Sequence, residues 1–528
     1  MTSGSLRAIA YSLGQMNDSA GNVTGRQQPT AATLTARTVA EVVARVGQAR
    51  QTGRALYPVS TGLNWGYGST SPVTAGCDLL DLSGMNRILN ADRISLSNPV
   101  AVIEPGVTQG QLHDFLQQHC PALTFNVTGS ARDTSIIGNA LDRGVGYFGP
   151  RKDDLFGLEV VLGTGEILRT GFRRLGDDSP LAHSHPSGLG PMLDGLFFQG
   201  NSGIVTSACF RLRPRRPREV AISLALRRVE DLPAFIDELA RMKREGLLPS
   251  VTHLGHRART QSTLSYGISK YLVDVCRLSP PAALGETGRA LNIVAPNEWT
   301  SLAALTGNAR QVRAAIAEIR RRTRALARLM VVTERLLDVG HAIAHRLRFI
   351  PYARAYAAVL AASRPLHGLA LGIPTDVAIQ SLLWTFGHSS DRAAEFDQSR
   401  CGLLYVSPAL PLNGRIAAEV ADGMKSVAAE HGHTLYMTLN IETDTSLVAV
   451  ANLLFDRTMP VEVARAHACA DALLAFVRSR GLEIYRARAD MMESIVAATP
   501  DHWRQLRELK RVFDPDNVIA PGRYNLAQ

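Results

Sequence analysis

Eleven consecutive residues, Pro58-Val59-Ser60-Thr61-Gly62-Leu63-Asn64-Trp65-Gly66-Tyr67-Gly68, place glycines directly after a short apolar stretch. Glycine has no Cβ, so such a turn can present successive backbone N–H groups to a phosphate or pyrophosphate. The spacing is neither the G-x-G-x-x-G dinucleotide fingerprint nor a Walker A loop. Taken alone, the segment fits a structural hairpin as well as an anion cradle.

A cradle of this kind needs a strand before it and helices beside it. Between Thr35 and Arg54, Val39, Val42, Val43 and Val46 fall on one helical face, and Gly53 is placed to stop the helix. Strands are expected at Ala55–Ser60, Cys77–Leu82 and Ala101–Gly106, the last opening a helix at Gln109–His119. A further strand-rich block covers Leu158–Thr170 and Gly203–Leu212, and the Pro- and Arg-rich stretch ending at Pro217 marks a boundary. Beyond it the texture changes to longer helices: Val229–Arg244, Asn308–Ala327, Val332–Ile350, Ile416–Glu430 and Val461–Arg480. The expected division is 1–217, 218–481 and a closing segment 482–528 that returns to the style of the first part. The pattern of strands and helices is α+β or α/β.

At 528 residues the chain exceeds one compact core and can bury a cofactor between domains. Apolar residues make up 45% and charged residues 20%, as in ordinary globular proteins. The formal charge of +10 is compatible with nucleic acid, an anionic membrane surface or a basic exterior. No nucleic-acid motif or aromatic-interleaved basic stripe accompanies it, so no nucleic-acid partner is expected. Cys77, Cys120, Cys209, Cys276, Cys401 and Cys469 lie far apart without a CxxC pair, which argues against a zinc site and a disulfide framework and for a reducing cytoplasm. The first residues lack signal-peptide features, and no apolar run is long enough to span a membrane.

The glycine turn keeps company. In chain order come Val102-Ile103-Glu104-Pro105-Gly106-Val107, Thr134-Ser135-Ile136-Ile137-Gly138-Asn139, Gly144-Val145-Gly146-Tyr147, Gly157–Leu162, Gly165–Gly171 and Gly195–Thr206. Gly372–Thr375, Ser407-Pro408 and the Asp514–Arg523 ending follow. This ordered set resembles the vanillyl-alcohol oxidase and p-cresol methylhydroxylase family of FAD-dependent oxidoreductases. The resemblance implies an α+β fold with an FAD-binding domain of two α/β subdomains and a cap domain whose antiparallel sheet is flanked by helices. It implies FAD contacts from Pro58, Ser60, Thr61, Gly62, Leu63, Asn64, Gly66, Tyr67 and Gly68, from Glu104, Pro105 and Gly106, and from Thr134, Ser135, Gly138 and Asn139. Gly144, Gly146, Tyr147, Gly203, Ile204, Val205, Arg486 and Arg523 complete that set.

By the same resemblance Tyr67, Tyr485 and Arg486 would hold a substrate phenolate, because charge-assisted hydrogen bonds favour the ionised form. Hydride would then pass from the carbon attached at the para position to flavin N5, and Arg523 would stabilise reduced flavin. Tyr147 and Tyr405 would line the pocket. Packing of Tyr485 and Arg486 at a domain junction, and ordinary burial of the other two tyrosines, are the competing readings. The chain also departs from the pattern. A tethering histidine is replaced by Leu403, and no tyrosine lies between Trp384 and Leu404, so FAD is expected to be non-covalent, with a loop position for His388. An acidic residue expected near flavin aligns with Ser130 or, with one insertion, Asp133; Asp391 and Glu395 are the candidates for a second acidic role.

Between Val332 and Ile350, Leu336, Val339, Ile343, Leu347 and Ile350 recur at helical spacing, with Arg335, His341, His345, Arg346 and Arg348 elsewhere. Such a helix packs its stripe on its own domain, or lies on a membrane, or docks a partner. The implied activity is oxidation of a para-substituted phenol or benzylic alcohol, with oxygen or a cytochrome- or azurin-like carrier as acceptor, in a homodimer. A non-phenolic alcohol or amine substrate, and an electron-transfer subunit, are the rivals.

Overall fold

The computed structural model describes residues 21–386 and 393–524. His388 and Asp391 lie outside the described residues. The helix Val39–Thr52 begins where the Thr38 hydroxyl accepts from Glu41 N–H and ends at Gly53, whose φ of 68° is the left-handed geometry expected there. It covers a three-stranded parallel sheet ordered Thr33–Thr35, Asp78–Asp81, Leu56–Val59. Val42, Val46 and Ala49 bury against Leu56 and Leu80.

The chain end completes this sheet. Leu56 N–H donates to Val518 O at 2.7 Å and Ala520 N–H to Leu56 O at 2.7 Å. The tail is fixed by the buried Asp514 carboxylate, which accepts from Val518 and Ile519 N–H at 2.9 Å each and from Lys510 Nζ at 2.6 Å. Gly163 allows this approach, since a Cβ there would meet Asp514 Oδ1 at 2.2 Å. A second, antiparallel sheet is ordered Val100–Ile103, Gly203–Arg211, Leu155–Leu162, Ile167–Arg169. Leu155–Leu162 is buried along its length because Leu158 and Val160 face one core and Val161 the other.

Among the described residues, nine strands form the cap sheet, from Arg218–Leu226 to Glu483–Ile484, with every pairing antiparallel. Period-two alternation divides its faces. Val220, Ile222, Leu224 and Leu226 enter the core under the helices Leu232–Arg244 and Gly414–Glu430, whereas Ala221, Ser223 and Ala225 turn toward a cavity. Met437, Leu439 and Ile441 are core; Thr438 and Asn440 face the cavity.

The expected helix at Gln109–His119 forms with those bounds. Asn308–Ala327 is too long: the helix is Ala309–Thr323, and Ala327 opens an edge strand of the cap sheet. The helix Glu334–Arg346 buries Leu337 and Ala344, while Leu336, Val339, Ile343, Leu347 and Ile350 stay 42–56% exposed, so the described residues cover the stripe only in part. No described helix is long and apolar enough to cross a membrane.

Candidate active site

One large cavity, about 810 Å³, lies between the glycine turns, the chain end and the pocket face of the cap sheet. That size is in the upper part of the roughly 300–1,000 Å³ usual for small-molecule sites. On one side the strand Leu56–Val59 runs into the turn. Among the described residues, the N–H groups of Ser60, Thr61, Gly62, Leu63 and Asn64 donate to no protein acceptor. Five consecutive unpaired donors at a cavity wall call for an acceptor-rich group such as a pyrophosphate. Gly138 brings the helix Ile136–Leu141 against the turn, since a Cβ there would stand 2.4 Å from Ser60 Oγ. The residues present therefore fit a flavin dinucleotide.

At the next station the charges are paired. Asp142 grips two guanidinium groups at once: Arg486 Nε donates to Oδ2 at 2.6 Å and Arg523 Nη2 to Oδ1 at 2.9 Å. Asn64 donates to Asp142 Oδ2 at 3.0 Å and accepts from Arg486 Nη2; Arg523 Nη1 donates to the Tyr57 hydroxyl at 3.3 Å. Arg486 lies 4.0 Å from the centre of the Tyr67 ring, and Tyr67 stacks on Tyr405 with centroids 5.0 Å apart and planes 6° off parallel. Gly66 makes room for that stack, because a Cβ would meet Tyr405 Cδ2 at 2.5 Å. Burial pushes the Tyr67 hydroxyl up to about 12 against the opposing pull of Arg486. Burial, with Tyr67 alongside, holds Tyr485 well above the usual phenol range. Both are neutral donors at any ordinary pH, next to a fixed positive charge.

Farther in, Tyr147 lies 4.1 Å from the His253 ring. His253 Nδ1 meets Asn440 Oδ1 at 2.8 Å, and burial lowers its basicity to about 4. Nδ1 is thus the donor and Nε2 a free lone pair. Arg259, Thr300, Thr438 and Asn440 share this wall.

The structure brings Tyr67, Tyr485, Arg486, Tyr147, Tyr405 and Arg523 to one cavity, with Pro58, Ser60, Thr61, Gly62, Leu63, Asn64, Pro105, Thr134, Ser135, Gly138, Asn139, Gly144, Gly203, Ile204 and Val205. It does not bring Asp133 there: that side chain is exposed, and Ser130 faces the cavity instead. Glu104 is buried in an ion pair with Arg87 at 2.7 Å. Gly66, Gly68, Gly106 and Gly146 are not at the cavity wall either. They allow close packing within the protein: a Cβ at Gly106 would meet Ser83 O at 2.3 Å, one at Gly146 Asn126 Oδ1 at 2.1 Å, and one at Gly68 Ala489 Cβ at 3.0 Å. Sequence reasoning missed Asp142, His253 and Arg259. A lone acid between two glycine blocks is the only mark Asp142 leaves; the other two leave none.

Comparison with known proteins agrees. An FAD binding domain model matches residues 30–171. The 1'-carboxy-chondrochloren decarboxylase of Chondromyces crocatus is 32% identical over 495 residues, covering 92% of this chain and 88% of that protein. The 4-cresol dehydrogenase [hydroxylating] flavoprotein subunit of Pseudomonas putida is 26% identical, covering 93% and 87%. In fold, the chain matches p-cresol methylhydroxylase with substrate bound at a TM-score of 0.74 and 24% identity, over 94% of this chain and 88% of that one. It matches 4-ethylphenol oxidase from Gulosibacter chungangensis, in its isoeugenol complex, at 0.77 and 23%, over 94% and 89%. The chain belongs to the vanillyl-alcohol oxidase and p-cresol methylhydroxylase family of FAD-dependent oxidoreductases.

Proposed function

We propose that this enzyme oxidises a para-substituted phenol or benzylic alcohol, with Tyr67, Tyr485 and Arg486 holding the phenolate and FAD bound without a covalent tether. The observation that carries the reading is the convergence of two neutral tyrosine hydroxyls and one guanidinium on a single cavity. Arg486 engages Asp142 and Asn64 through Nε and Nη2, which leaves Nη1 for a ligand. A phenol oxygen seated here loses its proton readily, because three donors favour the ionised form. The phenolate then raises electron density at the para carbon and eases loss of hydride from the attached carbon. FAD, when bound, supplies the hydride acceptor. The unpaired N–H groups of Ser60–Asn64 would hold its pyrophosphate, and Arg523 would balance charge on its ring system. Asp142 orients both arginines.

Leu403 supports the absence of a tether: it is fully buried in an apolar cluster with Trp65 and Phe396 and offers no nucleophile. The same reading keeps 1–217 with 482–528 as the FAD-binding part and 218–481 as the cap, a homodimer, and oxygen or a cytochrome- or azurin-like carrier as electron acceptor. A second reading, a non-phenolic alcohol or amine, is favoured by Ser130 at the cavity wall in place of a carboxylate.

Anaerobic mixing with a panel of 4-alkylphenols tests the proposal. Flavin bleaching is expected, and Arg486→Ala should slow it by about 10²-fold or more, as loss of one preorganised charged donor does. Bleaching by non-phenols alone would transfer the function to the second reading. Yellow colour retained in an acid-precipitated pellet would overturn the non-covalent assignment.

A further inference from the structure

Arg259 stands in the first turn of the helix Arg257–Asp274, on the cavity wall. Its Nη1 is fully buried and has no hydrogen-bond partner among the described residues. Among the described residues no carboxylate pairs with it: Glu298, beside the start of this helix, is taken by His256 at 2.7 Å and Arg257 at 3.3 Å. Thr300 Oγ1, also on this wall, is buried and unpartnered as well. Gly255 pairs with Thr300 across the cap sheet, and its missing side chain makes room for Thr260, whose Oγ1 a Cβ there would meet at 2.8 Å. His253 Nε2 is a lone pair and does not compete for an anion. Arg259 acts electrostatically on Tyr147, Arg486 acts on Tyr67 and Tyr485, and Tyr405 feels both, so the two guanidinium groups flank the tyrosine array.

A guanidinium nitrogen buried without a partner is costly, and the planar fork matches a carboxylate. We infer that the substrate carries a carboxylate that binds Arg259 Nη1 and Thr300 Oγ1, on the wall built by the cap sheet and the helix Arg257–Asp274, while Arg486 holds the phenol oxygen. The inference rests on the phenol-oxidising reading and narrows it from phenols in general to phenols whose para side chain ends in a carboxylate. A single cation and one hydroxyl suit a monoanion better than a phosphate.

The test is binding to the FAD-loaded enzyme, read as perturbation of the flavin spectrum under anaerobic conditions. The probes are ω-(4-hydroxyphenyl)alkanoates of increasing chain length, each paired with its methyl ester. At the matching length the acid is expected to bind about tenfold or more tightly than the ester, in keeping with one charge-assisted pair. Arg259→Met should collapse that ratio toward one, and Arg259→Lys should restore part of it. Flavin content reports whether each variant is folded, and if Arg259→Met fails to fold, the wild-type ratio and Arg259→Lys decide. A ratio near one in the wild type at every chain length sinks the proposal, as does a ratio that survives in Arg259→Met. ω-Phenylalkanoates separate this result from the parent reading. Arg259-dependent binding of these compounds, with no response to any phenol, would leave the carboxylate site standing while the phenol reading falls.

Discussion

The two ends of the cavity are built on opposite plans. At the Arg486 end every charge is matched: Asp142 holds Arg486 and Arg523 on its two oxygens, and Asn64 and Tyr57 take further N–H groups. At the Arg259 end three polar atoms, Arg259 Nη1, His253 Nε2 and Thr300 Oγ1, are buried without partners. A closed network fixes geometry before a ligand arrives, as preorganised stabilisation requires. An open set of donors and acceptors awaits groups that the ligand must bring.

Breaking the closed end should do the most damage. Asp142→Ala leaves two buried guanidinium groups facing each other, and a loss of about 3–5 kcal/mol is expected from removing one partner of a buried ion cluster. Denaturant unfolding measures it, and flavin reduction should slow with it as Arg486 loses its orientation. A loss no larger than that of an exposed ion pair would show that the network does not hold the site.

A smaller effect is expected from acid at the open end. His253 is neutral in the folded state, with its basicity lowered to about 4 by burial, whereas an unfolded histidine titrates near about 6.5. The stability it contributes is complete above the unfolded value and is lost as pH falls through the folded one. The unfolding midpoint should drop between about pH 6.5 and about pH 4, more steeply in the wild type than in His253→Gln. Equal slopes would mean that His253 is not held neutral.

The smallest change is expected from Thr300→Val. The hydroxyl has no partner among the described residues, so replacing it should leave stability within about 1 kcal/mol or raise it slightly. A larger loss in thermal unfolding would reveal a partner for the hydroxyl and remove the contrast between the ends.

Local physics made part of this legible in advance. The helix Gln109–His119 and the stop at Gly53 follow from spacing, capping and left-handed backbone, all set within a few residues. The glycines of the turn at 58–68 left a hairpin and an anion cradle equally open, and only the structure shows the unpaired N–H groups of Ser60–Asn64. Those glycines were harder to assign one by one: Gly66, Gly68, Gly106 and Gly146 are small for the sake of neighbouring protein atoms, and only the packed structure distinguishes that need from contact with a cofactor.

What the sequence by itself determined was the flavin-binding half, because the turns, strands and caps that make it depend on adjacent residues. The tertiary structure alone decided how the charges around the pocket are paired. Asp142 meets Arg486 across 344 residues, and Arg523 across 381. Glu104 became structural because Arg87 reached it, Asp133 turned to solvent, and Arg259 was left without an acid. Charge pairing acts through space, and neither residue type nor spacing along the chain shows which partner folding will supply.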